Sequence, residues 1–426
     1  MATIVVGLAV LFAQGVISVF AANRTHSAVL LTGAVVGLLV ALRWPACIWF
    51  LALPANFAYW RLGGSGLDFS LADAVLALAF VAALPHVPWR STTLQVVQRF
   101  YAFYSALVIV SVVVNPTRIA LISLAQRSVM VVGAVCVGAA IGAKGKVDAA
   151  LRVLFAASTV VGLAAVQYSF AHDFEAAYPF GMHKNLVGAI LSMTLLVAFL
   201  TRTECRLPRW ILGFMQLAMA AGLVASQARG ATLSLVAAIA VAIVRRPSFL
   251  RNPLVIGAIC VASVVSWAAF QTVEVNTGDR FDSVNSRIIT YDATIALWQK
   301  QPWVGVGIKF WRDPTYAGQT GFGEPHSMFV SALGETGIVG AVALAGFLSA
   351  IGALAWRRRG ALWTAVVLVL VARVVEAQFG IFWAANTGSM VWLLLGLAIG
   401  DAWREEAQIP LVGAGHERGD TIRTRR

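Results

Sequence analysis

This chain is a succession of apolar runs of membrane-crossing length, and one long polar stretch, Gln271 to Ser327, is its main interruption. A helix needs roughly 20 apolar residues to cross the hydrocarbon of a bilayer, so 426 residues hold a dozen or more crossings with short connections. Lipid offers no partner for free backbone N–H and C=O groups, which leaves helices and closed barrels as spanning forms, and no stretch alternates as barrel strands do. With 59% hydrophobic residues, only 12% charged and a mean hydropathy of +0.81, a soluble globular domain is excluded. The fold class expected is all-α: a polytopic transmembrane helical bundle of about 12–14 helices, with one large extracytoplasmic loop containing a short amphipathic helix.

In a soluble protein a net charge of +13 would suggest nucleic acid as a partner. Here the basic residues sit in short clusters between apolar runs and so report topology, with no nucleic acid implied. Arg43, Arg90 with Arg99, Lys144 with Lys146, Arg202 to Arg209, Arg245 to Arg251, Arg357 to Arg359 and the tail from Arg404 fall in alternate loops, and these hold 19 of the 32 Lys and Arg. Placing them in the cytoplasm gives a multi-pass protein with both termini cytoplasmic. About fourteen segments result, the stretches near 28–42, 47–60 and 388–400 being the shortest, and twelve would also fit. Met1 to Ala22 lacks a basic n-region and reads as a retained first helix. Cys47, Cys136, Cys205 and Cys260 share no CxxC spacing and read as packing residues.

The expected organisation is N-terminal transmembrane helices over 1–170, a core over 171–353 with outer loops at 171–185, 226–230 and 271–327, C-terminal transmembrane helices over 354–403, and a basic cytoplasmic tail over 404–426. Within the large loop Asn285 or Ser286 can cap a helix running to about Gln301, with Ile288, Tyr291, Ile295 and Trp298 on one face and Pro302 stopping it. Such a helix suits the membrane surface. The following Trp303-Val304-Gly305-Val306-Gly307, then Phe310 and Trp311, is an aromatic interfacial stretch; a lone GxG does not make a nucleotide loop.

Helix N-termini carry partial positive charge, so basic residues there are mildly unfavourable, by about 0.3–1 kcal/mol at exposed sites. The outer loops run against that rule. His183-Lys184-Asn185, Ala228-Arg229-Gly230, Asn285-Ser286-Arg287 and His326-Ser327 each open a helix. Four such starts make sense around a strong anion, a phosphate or diphosphate, for which donors, dipole and cations act together. The plainer alternative pairs these cations with lipid headgroups or with Asp279, Asp282 and Glu324.

His326 titrates near neutrality and can take a proton from a hydroxyl, with Pro325 and Glu324 beside it; a histidine at a helix start can also simply bond a carbonyl. His183 is a secondary candidate. No DxD, HExxH, GxSxG or Walker pattern occurs, and neither a metal nor a cofactor is implied. Arg127, Arg152, Arg373 and Glu376 fall inside apolar segments, where charge is costly; Arg373 and Glu376, at i and i+3, can pair with each other.

Three blocks of sequence carry a resemblance. Gly181-Met182-His183-Lys184-Asn185 precedes an apolar helix, and Ser226-Gln227-Ala228-Arg229-Gly230-Ala231 is similar to a Ser-x-x-Arg-Gly-Ala stretch. The third runs from Arg287 through Trp298, Pro302, Gly305 and Gly307 to Pro325-His326-Ser327, then Gly334-Glu335-Thr336-Gly337-Ile338-Val339-Gly340. Together they resemble the O-antigen ligase and polymerase family of bacterial integral membrane glycosyltransferases. Ser327 departs from the family's usual Asn, and Gln227-Ala228 from its usual serine next to the Arg.

The resemblance implies a C-type glycosyltransferase-like fold in the bacterial cytoplasmic membrane. A glycan on a polyprenyl diphosphate is transferred at the outer face to the hydroxyl of a glycan or lipid acceptor, without metal and with inversion. It further implies that Arg229 and Arg287, with Arg280 and Lys184 as further candidates, hold the diphosphate and that His326 activates the acceptor. Membrane lipids and other envelope-biosynthesis proteins are the remaining partners implied. A transporter or flippase of an anionic lipid-linked precursor would use similar cations and helix numbers, but such proteins usually show paired halves, which this sequence does not. A non-catalytic partner in an envelope assembly is the third reading.

Overall fold

The computed structural model describes residues 45–55, 57, 70–245, 282–313, 315–316, 323–383 and 385–408. Their regular structure is helical. In chain order the helices are α1 (Pro45–Ala55), α2 (Leu71–Ala83), α3 (Thr92–Val114), α4 (Arg118–Ala143), α5 (Val147–Ala171), α6 (Lys184–Leu200), α7 (Arg209–Ser226), α8 (Arg229–Arg245), α9 (Asp282–Lys300), α10 (Met328–Arg357), α11 (Ala361–Glu376) and α12 (Ala385–Gln408). Among the described residues α3, α4, α5, α7 and α10 are long and apolar enough to cross a membrane, and α1, α2 and α6 are shorter apolar helices. The expected segment at 28–42, Cys260 and Arg280 lie outside the described residues.

Short polar side chains set several helix starts by accepting an N–H that has no partner inside the helix. Ser70 forms a capping box with Asp73 at α2, Ser91 accepts from Leu94 N–H at α3, and Thr117 accepts from Ala120 N–H at α4. Inside α4 the residues Val129–Gly133 form a π turn.

Without a hydrophobic drive between helices in lipid, small residues decide where backbones meet. Gly138 and Gly142 of α4 face Gly396 and Gly400 of α12. A Cβ on Gly138 would lie 2.1 Å from the Leu393 carbonyl oxygen, and one on Gly396 2.1 Å from that of Val135, so the two backbones touch. Gly162 of α5 and Gly222 of α7 make a second seam, where a Cβ on Gly222 would lie 2.5 Å from the Gly162 Cα.

One end of the bundle gathers the starts of α6, α8, α10 and α12 with the ends of α3, α5, α7 and α11. At the other end arginines tie helix termini together. Arg245 of α8 donates to the carbonyls of Trp356, Ala355 and Arg358 at the end of α10. Arg152, expected inside an apolar segment, sits in the second turn of α5 at this end; it pairs with Asp148 at 2.8 Å and donates to the Cys205 carbonyl, which accounts for it structurally. Arg373 and Glu376 do pair, and Arg373 also donates to the carbonyls of Ile381 and Phe382.

Candidate active site at the His326 end

Three of the four expected helix starts are where the sequence put them. His183 is the N-cap of α6, its Nδ1 accepting the Asn185 N–H at 3.3 Å, and Lys184 is the first residue of the helix. Arg229 opens α8. Ser327 occupies the N-cap position of α10, with His326 just before it. The fourth differs: α9 begins at Asp282, not at Asn285 or Ser286, so Arg287 lies in its second turn. Asp and Ser are residue types that helix N-termini favour, and the sequence offered them three residues earlier. Arg287 therefore brings its charge from the side of a helix.

The face of α9 differs as well. Thr290, Thr294 and Leu297 are buried, Tyr291 and Trp298 are half-buried beside them, and Ile288 and Ile295 are exposed together with Ile289. Packing against α10 explains this choice. Gly334 leaves room for Thr294 and Phe310, since a Cβ there would lie 2.6 Å from Thr294 Cγ2 and 2.7 Å from Phe310 Cε1. The Tyr291 hydroxyl then donates to the His326 carbonyl at 2.8 Å, fastening α9 to the start of α10.

The segment after Pro302 is built into a helix break. Gly337 inside α10 has φ 65° and ψ −167°, a region open in practice to glycine. In an unbroken helix the N–H groups of Ile338 and Val339 would bond the carbonyls of Gly334 and Glu335. Instead they donate to Pro302 O at 2.8 Å and Trp303 O at 3.3 Å, while Val306 N–H and Gly307 N–H donate to the Gly334 and Glu335 carbonyls at 2.8 and 3.1 Å. The Gly305 and Gly307 pair thus serves a backbone-to-backbone join. Gly305, at φ 69°, lies so near the break that a Cβ would be 2.6 Å from the Gly337 nitrogen.

Beneath this join lies an ion pair between residues far apart in sequence. Arg127 and Glu335 are 4% and 2% exposed, with the guanidinium bonded to both carboxylate oxygens at 2.6 and 2.8 Å. Lys309 N–H donates to the same carboxylate at 3.1 Å, and Ser111 Oγ donates to the Glu335 carbonyl at 2.8 Å. The Trp383 ring lies 4.8 Å from the Arg127 guanidinium carbon, and Glu324 acts on Arg127 electrostatically.

Arg287 and His183 act electrostatically on His326, and Lys184 and Arg287 act on His183. Burial, then the Arg287 charge, then His183 hold the half-buried His326 ring below the ordinary histidine value of 6.5. His183 keeps an exposed edge, yet surrounding protein, then Lys184 and Arg287, lower its pKa too. Burial raises the Tyr291 phenol, and Arg287 one turn away opposes that. Arg229 is exposed at the start of α8, whose first turn lies against α6: a Cβ on Gly188 would be 2.9 Å from the Ala231 Cβ. The Ser327 hydroxyl donates to Gln378 Oε1 at 3.1 Å, and Met328 N–H to the Ala377 carbonyl at 2.8 Å, so the end of α11 backs the start of α10.

His172 to Lys184 is latched to the α7–α8 turn. Gln227, in left-handed conformation, donates from its side chain to the Phe174 carbonyl at 2.8 Å, and Ala177 N–H donates to the Ala225 carbonyl at 3.0 Å. The segment leading into the first family-like block is therefore bonded to Gln227 of the second and to Ala225 just before it. Sequence reasoning missed the roles of Tyr291, Gln227, Gln378 and Glu335. Only Glu335 carried a usable signal, being an acid in an apolar run that, like Arg127, needs a partner in lipid.

Among the described residues no three His, Cys, Asp or Glu side chains come together as a metal-ligating group. What the site offers is two imidazoles, His326 and His183, under the charge of Arg287 at one end of a membrane bundle. Residues 214–345, which include α8, α9, the join and the start of α10, match the model of the O-antigen ligase family. A search of curated proteins found no match.

Proposed function

We propose, from the match of residues 214–345 to the O-antigen ligase family, that the chain transfers a glycan from a polyprenyl diphosphate to an acceptor hydroxyl. The observation that carries the reading is the Tyr291 bond to the His326 carbonyl, which fastens the helix of Arg287 to His326, so that the Arg287 charge acts on His326 and on His183. The His326 end faces away from the cytoplasm, the orientation the basic clusters of the opposite end favour, in the bacterial cytoplasmic membrane.

In the transfer step His326 takes the proton of the acceptor hydroxyl as its oxygen attacks the anomeric carbon of the donor sugar. A new carbon–oxygen bond forms on the face opposite the leaving group, the bond to the diphosphate oxygen breaks, and the electron pair leaves with the polyprenyl diphosphate. Arg229, Arg287 and Lys184 receive that charge, with Arg280 a further candidate from outside the described residues. Fixed cations at the point where charge develops give the larger share of such catalysis, and the base contributes about 10²–10⁴-fold. The lowered pKa keeps His326 neutral, and so able to accept a proton, near pH 7.

The test uses purified protein in lipid nanodiscs with a polyprenyl-diphosphate oligosaccharide and a glycan or lipid acceptor. Polyprenyl diphosphate should appear in step with the elongated acceptor. Full turnover in both His326→Ala and Arg287→Ala would remove the site assignment, and donor movement across liposomes without any acceptor product would favour a transporter.

A further inference from the structure

We propose that Glu335, held by Arg127, is a positioning residue: the buried pair sets where the loop carrying Arg287 stands relative to His326. The proposal rests on the glycan-transfer reading for its kinetic consequence alone.

Glu335 joins three separate segments to α10. Its carboxylate takes Arg127 of α4 and the Lys309 N–H, and its carbonyl takes Ser111 of α3 and the Gly307 N–H. From Gly307 and Lys309 the connection continues through one small apolar cluster, Val306, Phe310 and Trp311 with Leu297 of α9. Arg287 stands on α9, and Tyr291 of the same helix reaches the His326 carbonyl. The Glu335 contacts therefore hold the loop side of α9, while Tyr291 and Thr294 hold its face against α10; losing the first lets Arg287 shift on the contacts that remain.

Stability alone is a poor reason for such a pair. Removing two charges from water costs several kcal/mol per ion, and apolar replacements of a buried pair are often neutral or stabilising. The Arg127 Nε finds no hydrogen-bond partner among the described residues. What an apolar pair cannot supply is an acceptor for the Lys309 N–H and a fixed register between the loop and the break at Gly337. Geometry is the function that remains.

The experiment compares wild type, Glu335→Gln, Arg127→Gln and the double variant Arg127→Met/Glu335→Met in nanodiscs. The pH midpoint of His326 is read from diethyl pyrocarbonate modification of its own peptide by mass spectrometry, with no substrate present. Thermal unfolding and transfer kinetics accompany it. If the pair positions the loop, Arg287 drifts from His326 in the variants and the midpoint rises toward 6.5, with kcat lower by about tenfold to a hundredfold. The double variant, free of any stranded charge, should melt near wild type and show both effects. A purely structural pair would lower melting and leave the midpoint alone. An unchanged midpoint and kcat in a folded double variant overturns the proposal. If wild type transfers no glycan yet the midpoint moves, the positioning stands and the transfer reading fails.

Discussion

Gly337→Ala puts one methyl group into the join between α10 and the segment after Pro302. At φ 65° and ψ −167° any side chain costs on the order of 1–3 kcal/mol. The new Cβ would also lie 2.4 Å from the carbonyl carbon and oxygen of Trp303 and 2.6 Å from the Val304 nitrogen, which are backbone atoms and cannot rotate away. Overpacking of this kind adds about 1–3 kcal/mol. The chain has one escape: α10 can close into a continuous helix, recovering two bonds within it while losing the four that tie it to Pro302, Trp303, Val306 and Gly307. At about 1 kcal/mol net per bond, the escape costs on the order of 2 kcal/mol and frees the loop. Both routes are local, so the bundle should still form. The assay is limited proteolysis of the 302–316 segment in nanodiscs, with transfer activity measured on the same sample. Faster cleavage there and at least tenfold lower turnover are expected, with Gly305→Ala behaving alike because its Cβ meets the same break. Wild-type cleavage and turnover in Gly337→Ala would refute the claim that the join holds the site together.

Other outcomes follow from the same geometry. His326→Ala should lower kcat/KM by about 10²–10⁴-fold. In wild type kcat/KM should rise with pH through a His326 midpoint below 6.5, because the ring must be neutral to act; Arg287→Gln removes a neighbouring cation, so its residual activity should show that acid limb moved to higher pH. Gly396→Leu should prevent folded protein from accumulating in the membrane, since the Val135 carbonyl oxygen stands 2.1 Å from the first added carbon; yield after mild solubilisation reads this. Gln227→Ala removes the bond to the Phe174 carbonyl, costing about 0.5–1.5 kcal/mol, and should speed proteolysis between Ala171 and His183 with little change in thermal unfolding.

Much of this was legible in the sequence because it follows from local rules. Apolar run length gave the membrane helices, and His183, Arg229 and His326 could be placed at helix starts from their neighbours alone. The Arg373–Glu376 pair needed only helical spacing. Sequence spacing failed where partners are distant or the backbone departs from regular geometry. Arg127 and Glu335 are separated by 208 positions, and each looked like an isolated charge. The break at Gly337 was hidden inside an apolar run with helix-like composition on both sides, and the Gly305–Gly307 pair looked interfacial because its partner is that break. The direction α9 faces was set by packing on Gly334 of α10, a contact that no window of the loop itself contains.

The π turn at Val129–Gly133 has a consequence for how α4 can change over time. One residue added to a helix rotates everything beyond it by about 100°. Arg127 lies before the turn and aims at Glu335, whereas Gly138 and Gly142 lie after it and meet α12. The two halves of one helix are thus phased separately, each to its own neighbour. Drift in the glycine contact can be absorbed in the turn without re-aiming the arginine, and the scaffold and the reacting end are free to evolve at different rates.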